Sequence, residues 1–134
     1  MSDVADITRV LIDTNAFLHF INNDSALGKR ARIVFESEVD LLISSASIWE
    51  IAIKFSIGKL SLPDTFANFI PSQIRQNDIE ILPPAMSHLV KVSTLPSHHK
   101  DPFDRLIIAQ SIVENLPIAS SDSVFDAYGI QRIW

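Results

Sequence analysis

Short apolar runs recur along this chain, and longer stretches with helical periodicity fill the intervals between them. The runs Arg9–Ile12, 41–43, Ile79–Leu82 and 117–119 are rich in branched side chains and too brief for helices. Apolar residues at consecutive rather than alternate positions suit strands buried on both faces. Helices are expected over 16–21, 26–38, 48–55, 86–95 and from Asp101-Pro102 through Val113, with a last short helix before an edge strand over 130–134. Gly58 marks one helix stop, and Pro63-Asp64 opens another helix that Pro71 must interrupt or kink. Asp101 as N-cap followed by Pro102 is a strong helix start. Strands alternating with helices, with few hairpin signals, imply right-handed crossovers and a mostly parallel sheet. The expected architecture is a three-layer α/β/α sandwich in one domain over 1–134.

Several functions are excluded by what the chain lacks. It has no cysteine, which removes thiol nucleophiles, zinc–thiolate sites and iron–sulfur clusters. Its three glycines, Gly28, Gly58 and Gly129, are too scattered for a phosphate-cradling loop. A net charge of −5 does not suit a strongly basic nucleic-acid module, although a local basic face stays open. The acidic start, Met1 to Asp6, lacks a signal-peptide pattern, and no apolar run nears the roughly 20 residues that span a bilayer. The reading is a soluble, cytoplasmic protein with no membrane partner.

In parallel α/β sheets, ligands bind beyond the carboxyl ends of the strands, so the acids falling there matter. Asp13 follows the first strand. Glu50 is expected on the first turn of the helix after the second, Asp104 on the first turn of the helix opened by Asp101-Pro102, and Asp122 just after the fourth strand. Four acids at one edge repel unless a cation sits among them, and Mg²⁺ or Mn²⁺ suits carboxylates plus water. Each acid also has a purely structural reading: an Asx-turn for Asp13, a capping box with Ser47 for Glu50, one with Asp101 for Asp104, and a helix N-terminus for Asp122. Residue by residue the two readings stand side by side; the convergence of the four favours a metal.

These residues also carry a resemblance. Val10-Leu11-Ile12-Asp13-Thr14-Asn15 resembles the opening strand of PIN-domain nucleases. Ser47-Ile48-Trp49-Glu50-Ile51-Ala52-Ile53-Lys54, followed by Gly58-Lys59-Leu60, is similar to their second motif. The third, His98-His99-Lys100-Asp101-Pro102-Phe103-Asp104-Arg105-Leu106 with Ala109-Gln110, has the form common among VapC-like toxins of bacterial toxin–antitoxin pairs. Ser120-Ser121-Asp122 resembles the fourth. The resemblance runs from Val10 to the C-terminus, with the motifs in the expected order.

The resemblance implies a PIN-like fold in which Asp13, Glu50, Asp104 and Asp122 form a catalytic, acidic metal site. It makes Asn15 an orienter of Asp13 or of a bound water, and Ser120 a small hydroxyl residue near the site. At Asp101 the family also shows an acid, which makes it a supporting residue, although its helix-capping role suffices. His98 and His99 are read as solvated loop residues, with substrate contact the alternative; Trp49 and Phe103 are read as core. Lys54, Lys59, Lys100 and Arg105 stand near the site elements, as phosphate binders or as ordinary solvated charges. The implied chemistry is metal-assisted hydrolysis of RNA phosphodiesters, which needs no side-chain nucleophile. A cognate antitoxin and a homodimer are implied partners. Two rivals are weaker. A phosphoacceptor signalling domain wants an acidic pair after the first strand and a lysine after a late one, and Asp13-Thr14-Asn15 and Pro117 to Asp122 supply neither. A PIN fold acting only as a binding scaffold would not need acids at all four motif positions.

Overall fold

The computed structural model describes residues 7–134, so the acidic N-terminal segment read above lies outside the described residues. Five strands, β1 (Arg9–Ile12), β2 (Asp40–Ser44), β3 (Ile79–Leu82), β4 (Ile118–Ala119) and β5 (Arg132–Ile133), form one sheet in the order β3-β2-β1-β4-β5. Every pairing is parallel. The helices are α1 (Thr14–Ile21), α2 (Lys29–Phe35), α3 (Ser45–Ser56), α4 (Phe66–Gln76), α5 (Met86–Thr94) and α6 (Pro102–Glu114), with a 3-10 turn over Ser123–Tyr128.

Period-two alternation along the strands feeds two cores. Val10 and Ile12, Leu41 and Ile43, and Ile79 pack with Ala16, Phe17, Ala31, Val34, Ile70 and Ile74 of α1, α2 and α4. Leu11, Leu42 and Ile118 turn the other way, onto Ile107, Ile108 and Ala109 of α6 and onto Phe125. Helices therefore cover both faces of the central strands, which is why Val10 to Ile12 and Leu41 to Ile43 read as unbroken apolar runs, whereas β3, buried only at Ile79, carries Glu80. The strand order reverses beside β1, where Leu11 pairs with Ile118 and Ile12 with Ala119. In parallel sheets ligands are bound at such switch points, here beyond the carboxyl ends of β1 and β4. Asp13 and Ser120 are the next residues of those two strands.

Three expected elements differ in the structure. Residues 26–38 contribute a helix only over Lys29–Phe35, because Asp24 ties its carboxylate to the Ala26 amide and holds the preceding residues in a turn. The interior Pro71 does not stop α4. Its missing hydrogen bond costs about 3 kcal/mol. Burial of Ile70 and Ile74 on either side offsets that, at about 1.5 to 3 kcal/mol each. Finally, α3 starts at Ser45, earlier than expected, because the Ser44 hydroxyl accepts the Ala46 amide at 3.0 Å and caps it. Among the described residues, no helix is long and apolar enough to cross a membrane.

Candidate active site

Asp13 closes β1 and caps α1, its Oδ1 accepting the Ala16 amide at 2.7 Å. The Asx-type role is therefore real. Burial pushes the Asp13 carboxyl up to about 6; hydrogen bonds from Ser120 and Ala16 pull it down in part, and the charges of Asp122 and Glu50 push it up again. Ser120 is fully buried, and its Oγ also accepts the Asp122 amide at 3.0 Å.

The early start of α3 moves Ser47 inside the helix, so the expected Ser47–Glu50 capping box does not form. Glu50 is instead buried on the second turn, turned towards β1. Thr14 Oγ1 donates to Glu50 Oε1 at 2.8 Å and lies 2.9 Å from Ser47 Oγ. Lys54, one turn on, pairs with Glu50 Oε2 at 2.8 Å, and this contact raises the lysine pKa.

Asp101 caps α6 through the Asp104 amide at 3.0 Å, with Pro102 at the first helical position. The reciprocal half of a capping box is absent, since the Asp101 amide donates to His99 Nδ1 at 3.3 Å. The Asp104 carboxylate instead lies with its Oδ2 3.2 Å from His99 Nε2. Burial pushes its carboxyl up to about 7, with further upward push from Asp101, Asp13 and Glu50 and an opposing pull from His99. Asp122 caps the 3-10 turn through the Val124 amide, and its other oxygen lies 2.9 Å from His99 Nε2.

The fold thus brings Asp13, Glu50, Asp104 and Asp122 into one electrostatic neighbourhood, in which Asp13 and Asp104 feel the other acids' charge. Asn15 stands apart: it is exposed, and no hydrogen bond joins it to Asp13. The residue that reaches into the site from this segment is Thr14. His99 is the largest correction. Its side chain is only 14% exposed and bridges Asp122 and Asp104, at 2.9 and 3.2 Å, instead of standing in solvent. His98 is exposed and packs edge-on against Tyr128. Trp49 is not core but 63% exposed, because α3 turns Ser47, Glu50 and Ile51 inward and Trp49 outward, against the partly buried Phe103. Arg105 is neither solvated nor aimed at the crevice; it donates to the carbonyls of Val92, Leu95, Pro96 and His99. Lys59 and Lys100 are exposed.

The donor set is carboxylate-rich, and Lys54 compensates only part of its charge. Raised carboxyls held together in this way fit a hard divalent cation. Asp104 and Asp122 bring carboxylate oxygens within 4.8 Å of each other, with His99 Nε2 beside both.

A family model described as the PIN domain matches residues 10–131, nearly the whole chain. The chain belongs to the PIN domain family. Ribonuclease VapC16 of Mycobacterium tuberculosis is 37% identical over 51 residues, a match spanning 38% of this chain and only 36% of that protein. Solved structures share the fold at low identity. VapBC from Salmonella typhimurium bound to DNA superposes with a TM-score of 0.69 at 16% identity, covering 94% of this PIN domain and 97% of that chain. VapBC2 from Rickettsia felis, bound to a promoter DNA fragment, gives 0.68 at 14%, covering 94% and 99%. FitAcB from Neisseria gonorrhoeae gives 0.67 at 18%, covering 92% and 95%.

Proposed function

We propose that this PIN domain is a Mg²⁺- or Mn²⁺-dependent endoribonuclease and the toxin of a toxin–antitoxin pair, acting in the cytoplasm. The observation that carries the reading is the meeting of Asp13, Glu50, Asp104 and Asp122 at the switch point between β1 and β4. These acids would hold the ion, which supplies Lewis-acid activation of water and neutralises charge building on the phosphodiester. The chain's own groups set that site: Ser120 and the Ala16 amide orient Asp13, Thr14 orients Glu50, and Lys54 offsets part of the negative charge. Net acidity is compatible with an RNA substrate because the cation supplies positive charge locally.

Partial homology to a ribonuclease named VapC16 and structural likeness to VapBC assemblies support a toxin role with a cognate antitoxin as partner. Exposed apolar side chains on α3 (Trp49, Ile53), at its C-cap (Ile57) and on α5 (Met86, Leu89, Val90) support a homodimer, since monomers seldom leave such faces open. Purified protein should cleave RNA with Mg²⁺ or Mn²⁺ and lose activity in excess EDTA; undiminished cleavage in chelator overturns the mechanism. A small antitoxin-like reading frame beside the gene and a dimeric mass by light scattering would support the partners; an unpaired gene and a strict monomer would count against them.

A further inference from the structure

We propose that His99 is a positioning residue of this site: its Nε2–H holds Asp104 and Asp122 in the arrangement that receives the divalent ion. The proposal rests on the metal-dependent reading above and adds a residue to it.

His99 is built into place from every side. The Tyr128 hydroxyl accepts its amide at 2.8 Å and donates to the Pro96 carbonyl at 2.8 Å. Arg105 donates to the His99 carbonyl at 3.0 Å and to three further carbonyls of the same segment. The ring stands against Phe125, with centroids 5.6 Å apart. Such anchoring fixes where the imidazole points, as an exposed loop histidine would not be fixed.

The ring's tautomer follows from its other nitrogen. Nδ1 faces the Asp101 amide at 3.3 Å, and an amide can only donate, so Nδ1 accepts and the proton of the neutral ring sits on Nε2. Nε2 then presents a proton, not a lone pair, to Asp122 Oδ2 and Asp104 Oδ2. A ligating nitrogen needs the opposite arrangement, with Nδ1 protonated, and that would set two donors against each other at Asp101. His99 is therefore a donor to the acids and not a ligand. The geometry has a purpose, because Asp104 comes from the first turn of α6 and Asp122 from the segment after β4. No backbone ladder joins those elements, and two like charges on them repel. One imidazole spanning both carboxylates fixes their separation, and each oxygen keeps a further lone pair for a cation.

The test is Mn²⁺ binding by calorimetry on the metal-free full chain, with thermal melting to verify folding. His99→Ala should weaken Mn²⁺ affinity about 10- to 100-fold, the usual cost of losing a partner that orients ligands. His99→Gln, whose amide N–H can reach towards the Nε2 position, should recover most of that loss. In metal-free wild type, the ¹⁵N shifts of the His99 ring should show the Nε2–H form, and the Mn²⁺-bound electron spin echo spectrum should lack imidazole nitrogen coupling. Wild-type affinity in His99→Ala overturns the proposal. So does a Gln variant as weak as Ala, a proton found on Nδ1, or nitrogen coupling to the ion. Asp104→Asn separates the two failures: if it too binds Mn²⁺ like wild type, the metal-site reading itself falls.

Discussion

His88 and His99 make nearly the same local contacts at the two ends of the α5–α6 hairpin. Each accepts a backbone amide on Nδ1, from Ala85 at 2.9 Å and from Asp101 at 3.3 Å. Each turns Nε2 to carboxylate oxygen, His88 to Glu114 at 2.8 Å and His99 to Asp122 at 2.9 Å. The settings differ. His88 is buried and meets one acid at the exposed end of α6, so its bonds simply tie the start of α5 to the end of its neighbour. His99 meets a second acid, Asp104, and beyond it Asp13 and Glu50. The same ring chemistry is thus a staple at one end and part of a charged crevice at the other. What decides the role is how many acids stand across from the ring.

The largest break between the two ends should appear in activity. Asp104→Asn and Glu50→Gln keep the shape of the site but remove a negative charge aimed at the cation. RNA cleavage should fall about a hundredfold or more in each, while His88→Ala cleaves like wild type once folded. Rate assays beside melting curves check this, and a folded Asp104→Asn that cuts at the wild-type rate breaks the comparison.

Stability should show the reverse. His88→Ala removes the acceptor of the Ala85 amide and leaves a void where a buried ring stood, so unfolding free energy should drop by about 1 to 3 kcal/mol in urea titrations, with Mn²⁺ affinity unchanged. A matching loss of ion binding would mean that the two ends are coupled.

A third contrast lies in pH. The Asp13 and Asp104 carboxyls sit at about 6 and 7 in the folded chain against 3.8 ordinarily. Between about pH 4 and 7 the metal-free folded state therefore binds more protons than the unfolded chain, and its stability falls as pH rises through that window. Saturating Mn²⁺ should flatten the slope, because the ion binds the ionised acids of the folded state alone. Melting temperatures across pH with EDTA or Mn²⁺ read this directly; equal slopes would mean that the acids do not form a common site.

The smallest effect is expected at Glu114→Gln. The Gln carbonyl still accepts from a neutral His88 Nε2–H at a half-exposed position, so the cost should stay below about 1 kcal/mol. A larger loss would show that His88 carries charge and that the staple is an ion pair.

Much of the molecule was legible before folding was considered, for reasons that differ by element. The central strands β1 and β2 were plain because burial on both faces writes unbroken apolar runs, and parallel pairing follows once helices separate the strands. The Asp101-Pro102 start of α6 was plain because a cap acts on amides only a few residues away. The four acids were nameable because a parallel sheet delivers every strand's carboxyl end to one edge. Local signals misled where packing outweighed them: Ser44 rather than Ser47 caps α3, and Trp49 faces solvent.

The sequence by itself determined the layer architecture, the sheet edge where the acids gather and which acids stand there. These depend on periodicity and short-range capping, which act within a few residues. Only the tertiary structure decided who faces those acids. Thr14 meets Glu50 across 36 residues, and His99 meets Asp122 across 23. Arg105 spends its donors on four carbonyls of the segment before α6, and Tyr128 anchors that segment from across the 3-10 turn. A histidine in a polar stretch looks the same in sequence whether it is solvated or pinned. Its partners are fixed by where distant backbones come to rest, and a ring nitrogen's proton goes wherever those partners leave a lone pair to accept it.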